Sequence, residues 1–130
     1  MILVDTSVLV QYLRSGNSGI RAILASAPCA ICGVIRAEVL HGARTEQDAA
    51  SLRAALDALP QLPIPEVMWD ELGSNLSVLR SHGLPMPFQD VLIATVALHH
   101  DAELWTLDGH FGAMQAALPS LKLFVGPQVR

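Results

Sequence analysis

Short apolar runs alternate along this chain with longer segments of helical periodicity, and two of the runs are followed within two residues by an acid. The runs at residues 2–4, 29–31, 103–106 and 121–125 are predicted strands. The helical patterns occupy residues 6–14, 20–27, 33–43, 46–59, 66–80, 88–100 and 109–118. This alternation predicts an α/β fold in three layers, α/β/α, with a short, mostly parallel central sheet flanked by helices.

The length of 130 residues is that of one compact domain, so residues 1–130 are predicted to form a single domain. Leu and Ala are abundant, and this favours helices over an all-β sandwich or barrel. High apolar content (52%) with low charge (15%) excludes a disordered chain. The net charge of −4 argues against a broad basic face that grips duplex nucleic acid. It does not exclude an enzyme that meets nucleic acid through a bound metal.

The mean hydropathy of +0.42 raises the possibility of a membrane protein. The longest stretch without a charged residue covers residues 22–35 and is interrupted by Pro28, so no membrane span is predicted. The N-terminus has no basic region and reaches Asp5 at once, so no signal peptide is predicted and a cytoplasmic protein is expected. The excess apolar residues are expected in buried strands and on a face that meets another chain.

The two cysteines, Cys29 and Cys32, form a Cys-Ala-Ile-Cys run. A zinc site needs two further ligands at suitable spacing, and the sequence offers no second pair. Residues three apart in a strand point to opposite faces, which disfavours a disulfide. Two reduced core thiols are therefore predicted.

Two acids follow predicted strands. Asp5 comes directly after the run at residues 2–4, and Asp108 lies two residues beyond the run at 103–106. Ligands of open parallel sheets bind beyond the carboxyl ends of the strands, which is where these acids fall. Each acid has a simpler interpretation as an N-terminal cap of the helix that follows it.

Two further acids lie within apolar helical stripes. Glu38 shares its stripe with Val34 and Ile35, and Asp90 shares its own with Ile93 and Ala97. A lone carboxylate on a packing face is costly unless it is paired. For Asp90, a favourable interaction with the helix N-terminus is the simpler interpretation.

Taken together, these four acids indicate a cation site, because few basic residues are within reach of them. The nearest basic residue to Glu38 is Arg36, but residues two apart on a helix do not face each other. Since only oxygen ligands are offered, Mg²⁺ is the expected ion, with Mn²⁺ as an alternative.

Each of the four acids lies in a recognisable segment. The segments are Val4-Asp5-Thr6-Ser7-Val8-Leu9, Ala37-Glu38-Val39-Leu40-His41-Gly42, Gln89-Asp90-Val91-Leu92-Ile93-Ala94 and Thr106-Leu107-Asp108-Gly109-His110-Phe111. In order and spacing they resemble the four acidic motifs of PIN-domain nucleases, and the whole chain most resembles the VapC-type toxins of bacterial toxin–antitoxin pairs. One departure concerns the last motif: many relatives end in Asp-Phe, whereas His110 precedes Phe111 here, and Asp108 is taken as the fourth acid.

The resemblance implies metal-dependent hydrolysis of RNA phosphodiester bonds. Asp5 and Asp90 would be the principal metal ligands, and Glu38 and Asp108 would complete the catalytic cluster. A phosphodiester is anionic and repels hydroxide, so its hydrolysis needs a cation at this place. Single-stranded or looped RNA is the expected substrate, because the cleft needs an exposed backbone.

Two hydroxyl side chains stand next to Asp5. Ser7 or Thr6 is expected to support this carboxylate by hydrogen bonding. His110 is interpreted as a surface histidine, with a place near the cleft as the alternative. Trp69 and Trp105 are predicted to be core anchors rather than platforms for base stacking.

The resemblance also implies partners. These are a symmetric second copy of the chain and a small antitoxin whose C-terminal segment fills a groove. The exposed candidates for such surfaces are the helices at residues 6–14, 20–27 and 46–59. The alternative functions are a catalytically inactive PIN-like module that binds RNA or protein, and a DNA-directed nuclease.

Overall fold

The computed structural model describes residues 1–127, so positions 128–130 of the predicted domain lie outside the described residues. Four strands and seven helices follow one another within them. They are β1 (Ile2–Val4), α1 (Thr6–Ser15), α2 (Ser18–Ser26), β2 (Cys29–Ala30), α3 (Gly33–His41), α4 (Glu46–Asp57), α5 (Val67–Ser81), α6 (Phe88–His99), β3 (Glu103–Trp105), α7 (His110–Met114) and β4 (Lys122–Leu123).

The four strands form one parallel sheet in the order β2-β1-β3-β4. Parallel strands require crossover connections, and here helices supply them, which confirms the predicted α/β class. Strand β1 is central and pairs with β2 through Ile2 and Cys29. On its other side it pairs with β3 as far as Val4 and Trp105, so β1 and β3 end level with each other.

The core lies on both faces of this sheet. All three residues of β1 are buried, as expected for a parallel strand covered by helices on both faces. Helix α6 is buried continuously from Val91 to Ala97, which explains why its sequence is apolar all round rather than striped. Burying each large aliphatic side chain of this kind contributes about 1.5–3 kcal/mol. Helix α6 is thereby held in the core from Val91 onward, while its first turn reaches the surface.

The largest difference from the predicted elements is near the C-terminus. Helix α7 has five residues instead of ten, since after Met114 the backbone continues in turns with bonds such as Ala117 N–H to the Met114 carbonyl. Phe111, Met114 and Leu118 are all buried, so the apolar spacing marks the buried face correctly but not the type of turn. Strand β4 is likewise shorter than predicted.

The cysteine prediction is confirmed, because Cys29 and Cys32 are both free and buried. Of the two tryptophans, Trp105 is a core residue as predicted. The prediction for Trp69 is wrong: this side chain lies on α5 and is 45% exposed. Across residues 1–127, no helix combines the length and apolar character needed to cross a membrane.

Candidate metal centre

The end of the central strands places Asp5 beside Thr106. Because Val4 pairs with Trp105, the next residues of β1 and β3 emerge side by side. The Asp5 backbone N–H donates to the Trp105 carbonyl at 2.9 Å. The Thr106 hydroxyl donates to Asp5 Oδ2 at 2.8 Å, although the two residues are far apart in sequence.

The Asp5 carboxylate is only 5% exposed and is held by hydroxyl groups. Besides Thr106, the Ser7 hydroxyl donates to Asp5 Oδ2 at 2.7 Å. Asp5 does occupy the N-cap position of α1, but its side chain makes no capping hydrogen bond there. The interpretation of Asp5 as a side-chain cap is therefore wrong, and its carboxylate faces the strand ends instead.

Glu38 approaches the same edge from α3. The Thr6 hydroxyl donates to Glu38 Oε1 at 3.0 Å, so the two hydroxyls next to Asp5 serve different acids. Arg36 does not reach this carboxylate and pairs with Asp57 at 2.8 Å. Burial raises the pKa of the Glu38 carboxyl; the Thr6 hydrogen bond opposes this, and the nearby negative charges of Asp5 and Asp90 add to the increase.

Asp90 reaches the cluster from the first turn of α6. Its side chain is 16% exposed and lies 2.8 Å from the Nδ1 atom of His110, measured from Oδ2. The N-cap position of α6 is Pro87, with no capping side-chain bond. Asp90 thus faces α7 across the cleft.

Asp108 is positioned by the turn between β3 and α7. Its backbone N–H donates to the Thr106 hydroxyl at 3.0 Å, and its Oδ1 accepts the His110 backbone N–H at 2.9 Å. The second bond satisfies the first N–H of α7, so the predicted capping contact exists. The same carboxylate lies 3.5 Å from His110 Nδ1. Its side chain is 39% exposed, so the Asp108 carboxylate is accessible to a further partner.

Asp90, Asp108 and His110 together make the tightest group of metal-ligating side chains among the described residues. One donor atom from each lies within 4.8 Å of the other two. The Asp90 hydrogen bond and the charge of Asp108 raise the pKa of the His110 imidazole. His110 is half exposed, as predicted for a surface histidine, but it is also part of the cleft.

The donor set is suited to a divalent cation. Within residues 1–127 no lysine or arginine forms an ion pair with Asp5, Glu38, Asp90 or Asp108, so their charges are balanced by no basic side chain other than His110. Two carboxylates and an imidazole within 4.8 Å match the ligand types of protein-bound divalent metals. Asp5 and Glu38 border this group without being part of it.

The sequence interpretation missed Thr106. Its position directly after β3, at the same edge as Asp5, is a signal that was available in the pattern. The sequence did not decide whether His110 lies on the surface or near the cleft, because its contact with Asp90 depends on how α6 and α7 pack.

A second surface feature lies between α1, α2 and α4. These helices enclose a groove of about 360 Å³. Its lining is mainly apolar and includes Leu13, Leu24, Leu52, Ala55 and Leu59, with Arg21 among the lining residues. We call it the apolar groove. It lies among the three helices that the sequence marked as exposed candidates for contact with partners.

Comparisons with known proteins agree on the fold. The PIN-domain family model matches residues 2–116. Ribonuclease VapC11 of Mycobacterium tuberculosis is 29% identical over 119 residues, which cover 85% of this chain and 89% of that protein. The structure of VapBC2 from Rickettsia felis, bound to a DNA fragment from its promoter, is similar with a TM-score of 0.82 and 22% identity, over 98% of this chain and 100% of that chain. VapBC-1 from nontypeable Haemophilus influenzae is similar with a TM-score of 0.80 and 20% identity, over 95% and 97% of the two chains.

Proposed function

The chain belongs to the PIN-domain family, and on that premise we propose that it is a metal-dependent endoribonuclease, the toxin of a toxin–antitoxin pair. The observation that carries this proposal is the convergence of Asp90, Asp108 and His110 beside Asp5 and Glu38 at the carboxyl edge of the sheet. The name of Ribonuclease VapC11 supports the choice of substrate, and toxin–antitoxin complexes among the similar solved structures support the biological role.

In this proposal Asp5 and Asp90 are the principal ligands of Mg²⁺, with Mn²⁺ as an alternative, and Glu38 and Asp108 complete the cluster. When bound, the cation would hold the phosphate, lower the pKa of a bound water and stabilise the leaving oxygen. Ser7 and Thr106 orient the Asp5 carboxylate, because both hydroxyls donate to the same oxygen.

Glu38 is the carboxylate best suited to take a proton from the attacking water. Its raised pKa brings it nearer to neutral pH than an ordinary glutamate, which improves a general base. Thr6 holds Oε1 at 3.0 Å and thereby fixes the orientation of the carboxyl group.

The proposed substrate is single-stranded or looped RNA, since its backbone can enter a local acidic cleft where a duplex would need a wide basic face. The place of action is then the cytoplasm. The test is incubation of the purified protein with mixed cellular RNA in Mg²⁺, in Mn²⁺ and in EDTA. Cleavage with either metal and its loss in EDTA are the expected results.

The same assay separates the alternatives. Binding of RNA without cleavage in any metal would identify an inactive binding module. Cleavage of single-stranded DNA in preference to RNA would identify a DNA-directed nuclease and contradict the proposal.

We propose that the apolar groove holds an amphipathic helix of the antitoxin. Such a helix would bury its apolar side against residues such as Leu13 and Leu52, and a basic side chain beyond it would reach toward the acids. The solved structures of similar proteins are described as VapBC assemblies, which supports a partner of this kind. We expect a neighbouring gene to encode it as a small DNA-binding protein.

A pair of arginine substitutions tests the groove. Ala55→Arg places a long charged side chain in the groove, whereas Ala54→Arg changes an exposed residue of the same helix outside the lining. Co-expression with the neighbouring protein should relieve toxicity for Ala54→Arg but not for Ala55→Arg, while both retain cleavage. Equal relief of both variants would place the partner elsewhere.

We also propose a homodimer. Trp69 and Phe88 are 45% and 56% exposed and lie outside the groove lining, so apolar surface remains for a second copy to cover. Light scattering should show a dimer or larger species, and a monodisperse monomer would contradict this.

A further inference from the structure

His110 supplies the nitrogen donor in a cleft that otherwise offers carboxylates. The sequence interpretation of four acids led to an oxygen-only site and hence to Mg²⁺. We propose that His110 joins these acids as a metal ligand through Nδ1, and that it gives the site a preference for a first-row transition ion over Mg²⁺. This inference rests on the metal site of the proposed function and deepens it.

The distances from His110 Nδ1 to the two carboxylates match the edges of a coordination polyhedron. His110 Nδ1 lies 2.8 Å from Asp90 Oδ2 and 3.5 Å from Asp108 Oδ1. Neighbouring ligands of an octahedral ion with bonds of 2.0–2.1 Å are about 2.9 Å apart. For a tetrahedral ion with bonds of similar length the separation is about 3.4 Å. The imidazole nitrogen therefore already stands at ligand spacing from both carboxylates.

Contacts on both sides of His110 in the chain fix its position. Its backbone N–H is held by Asp108 Oδ1 at 2.9 Å, so one ligand of the group fixes the start of the helix that carries another. The next residue, Phe111, is fully buried, and Met114 one turn later is as well. Helix α7 is thus anchored in the core, and His110 remains facing Asp90.

The identity of the donors sets the metal preference. Mg²⁺ favours oxygen ligands and retains its waters, whereas an imidazole suits the later first-row ions. Binding by a given nitrogen and oxygen site strengthens from Mn²⁺ to Co²⁺. A site with two carboxylates and one imidazole is therefore expected to bind Co²⁺ more tightly than Mn²⁺, and both more tightly than Mg²⁺.

The competing explanation is that His110 only bridges the two carboxylates by hydrogen bonding and leaves when an ion binds. In that case its removal would free Asp90 and Asp108 and strengthen the binding of every ion, Mg²⁺ included. If His110 is a ligand, its removal weakens the binding of Co²⁺ and Mn²⁺ selectively. The two explanations thus predict opposite signs.

The experiment is calorimetric titration of the purified protein with Co²⁺, Mn²⁺ and Mg²⁺, without RNA. His110→Ala should lower the affinity for Co²⁺ and Mn²⁺ by about tenfold or more, since even partners outside the ligand shell are worth about 10–100-fold. The affinity for Mg²⁺ should change much less. The visible absorption of bound Co²⁺ should also shift in this variant, because one nitrogen ligand is lost.

His82→Ala is the matched control. His82 is an exposed histidine at the end of α5 that contacts the Val78 carbonyl and is not part of the metal-ligating group. The His82→Ala variant should bind all three ions as the wild type does. Circular dichroism melting of both variants separates loss of ligand from loss of fold.

Three results would overturn the inference, namely a gain in affinity for all ions, an equal loss for all ions, or no change in His110→Ala. If such a variant still cleaves RNA in a metal-dependent way, the proposed function stands and only the role of His110 is wrong. Failure of the wild type to bind any of the three ions would contradict both.

Discussion

The acids of the cleft fall into two halves that are held in different ways. In the first half, Asp5 and Glu38 accept hydrogen bonds from the hydroxyls of Ser7, Thr106 and Thr6. In the second half, Asp90 and Asp108 face one imidazole, that of His110. We call these the hydroxyl half and the histidine half.

The difference shows that the orientation of a carboxylate and the balance of its charge depend on different neighbouring groups. Hydroxyl groups fix the direction of a carboxylate without neutralising it, so the hydroxyl half keeps its negative charge. Burial is the main cause of the raised pKa of Glu38, and the negative charges of Asp5 and Asp90 add to it. The histidine half contains Asp108, whose side chain is 39% exposed, and the imidazole that faces both of its acids. The proposed cation site depends on both halves.

The largest expected effect lies in the histidine half. Asp90→Asn removes a charge and a proposed metal ligand while keeping the shape of the side chain, so RNA cleavage should fall by more than the roughly 100-fold lost on changing a residue outside the ligand shell. Stability in metal-free buffer should stay the same or rise, because repulsion is removed. Rates are measured on purified protein, with melting curves alongside.

Asp70→Asn is the matched control for this substitution, since Asp70 lies in the first turn of α5 as Asp90 lies in the first turn of α6, but it is exposed and outside the metal-ligating group. It should cleave at the wild-type rate. Asp5→Asn is expected to abolish cleavage as Asp90→Asn does. A variant of Asp5 or Asp90 with full activity would remove that acid from the site, and unfolding of both variants would make these acids structural.

An intermediate effect is expected from the hydroxyls of the first half. Thr106→Val removes the hydroxyl that donates to Asp5 and accepts the Asp108 backbone N–H, and should cost about 10–100-fold in metal affinity or cleavage. Ser81→Ala, which removes an exposed hydroxyl on α5, serves as control. Unchanged metal affinity in Thr106→Val would mean that the hydroxyl half is not needed to position the site.

A smaller effect concerns stability and pH in the hydroxyl half. The pKa of Glu38 is raised above its ordinary 4.5, so the folded protein holds this proton more tightly than the unfolded chain. Metal-free protein should therefore lose stability as the pH rises from 4.5 through the raised pKa. The raised pKa of His110 has the same sign, its contribution being present below 6.5 and lost above the raised value.

Glu38→Gln should flatten the acidic part of this profile and weaken cleavage. Melting temperatures in EDTA across the pH range provide the measurement, and the shift should be modest because solvent screens both groups. A profile that is unchanged in Glu38→Gln would show that the charge on Glu38 is already compensated.

The smallest effect is expected from the two cysteines. Burial raises the pKa of Cys29 and of Cys32, so both are poor nucleophiles at neutral pH. The double variant Cys29→Ser, Cys32→Ser should cleave RNA nearly as the wild type does. Strong loss of wild-type activity on adding a reducing agent would contradict this and indicate redox control.

Much of the fold was accessible from local patterns. The apolar run at residues 2–4 forms β1 as predicted, and α1 ends at Ser15, one residue beyond its predicted end, before Gly16 in a left-handed conformation. The pattern was less informative in two places. At α7, a helix and a series of turns give the same spacing of buried residues. At Trp69, nothing in the sequence indicated that the apolar ring faces outward. In both cases the choice depends on neighbours distant in sequence.

For the candidate site, residue types and hydrophobic periodicity are enough to predict which side chains are available and at which ends of the elements they lie. The positions of Asp5 after β1 and of Asp90 at the start of α6 are predicted by hydrophobic periodicity and apolar content alone. The tertiary structure decided which donors meet: Thr106 reaches Asp5 because β1 and β3 are neighbours in the sheet, and His110 reaches Asp90 because α7 packs beside α6. The physical reason is that periodicity records which face of an element is buried, whereas the partner of a polar atom is set by how separate elements pack.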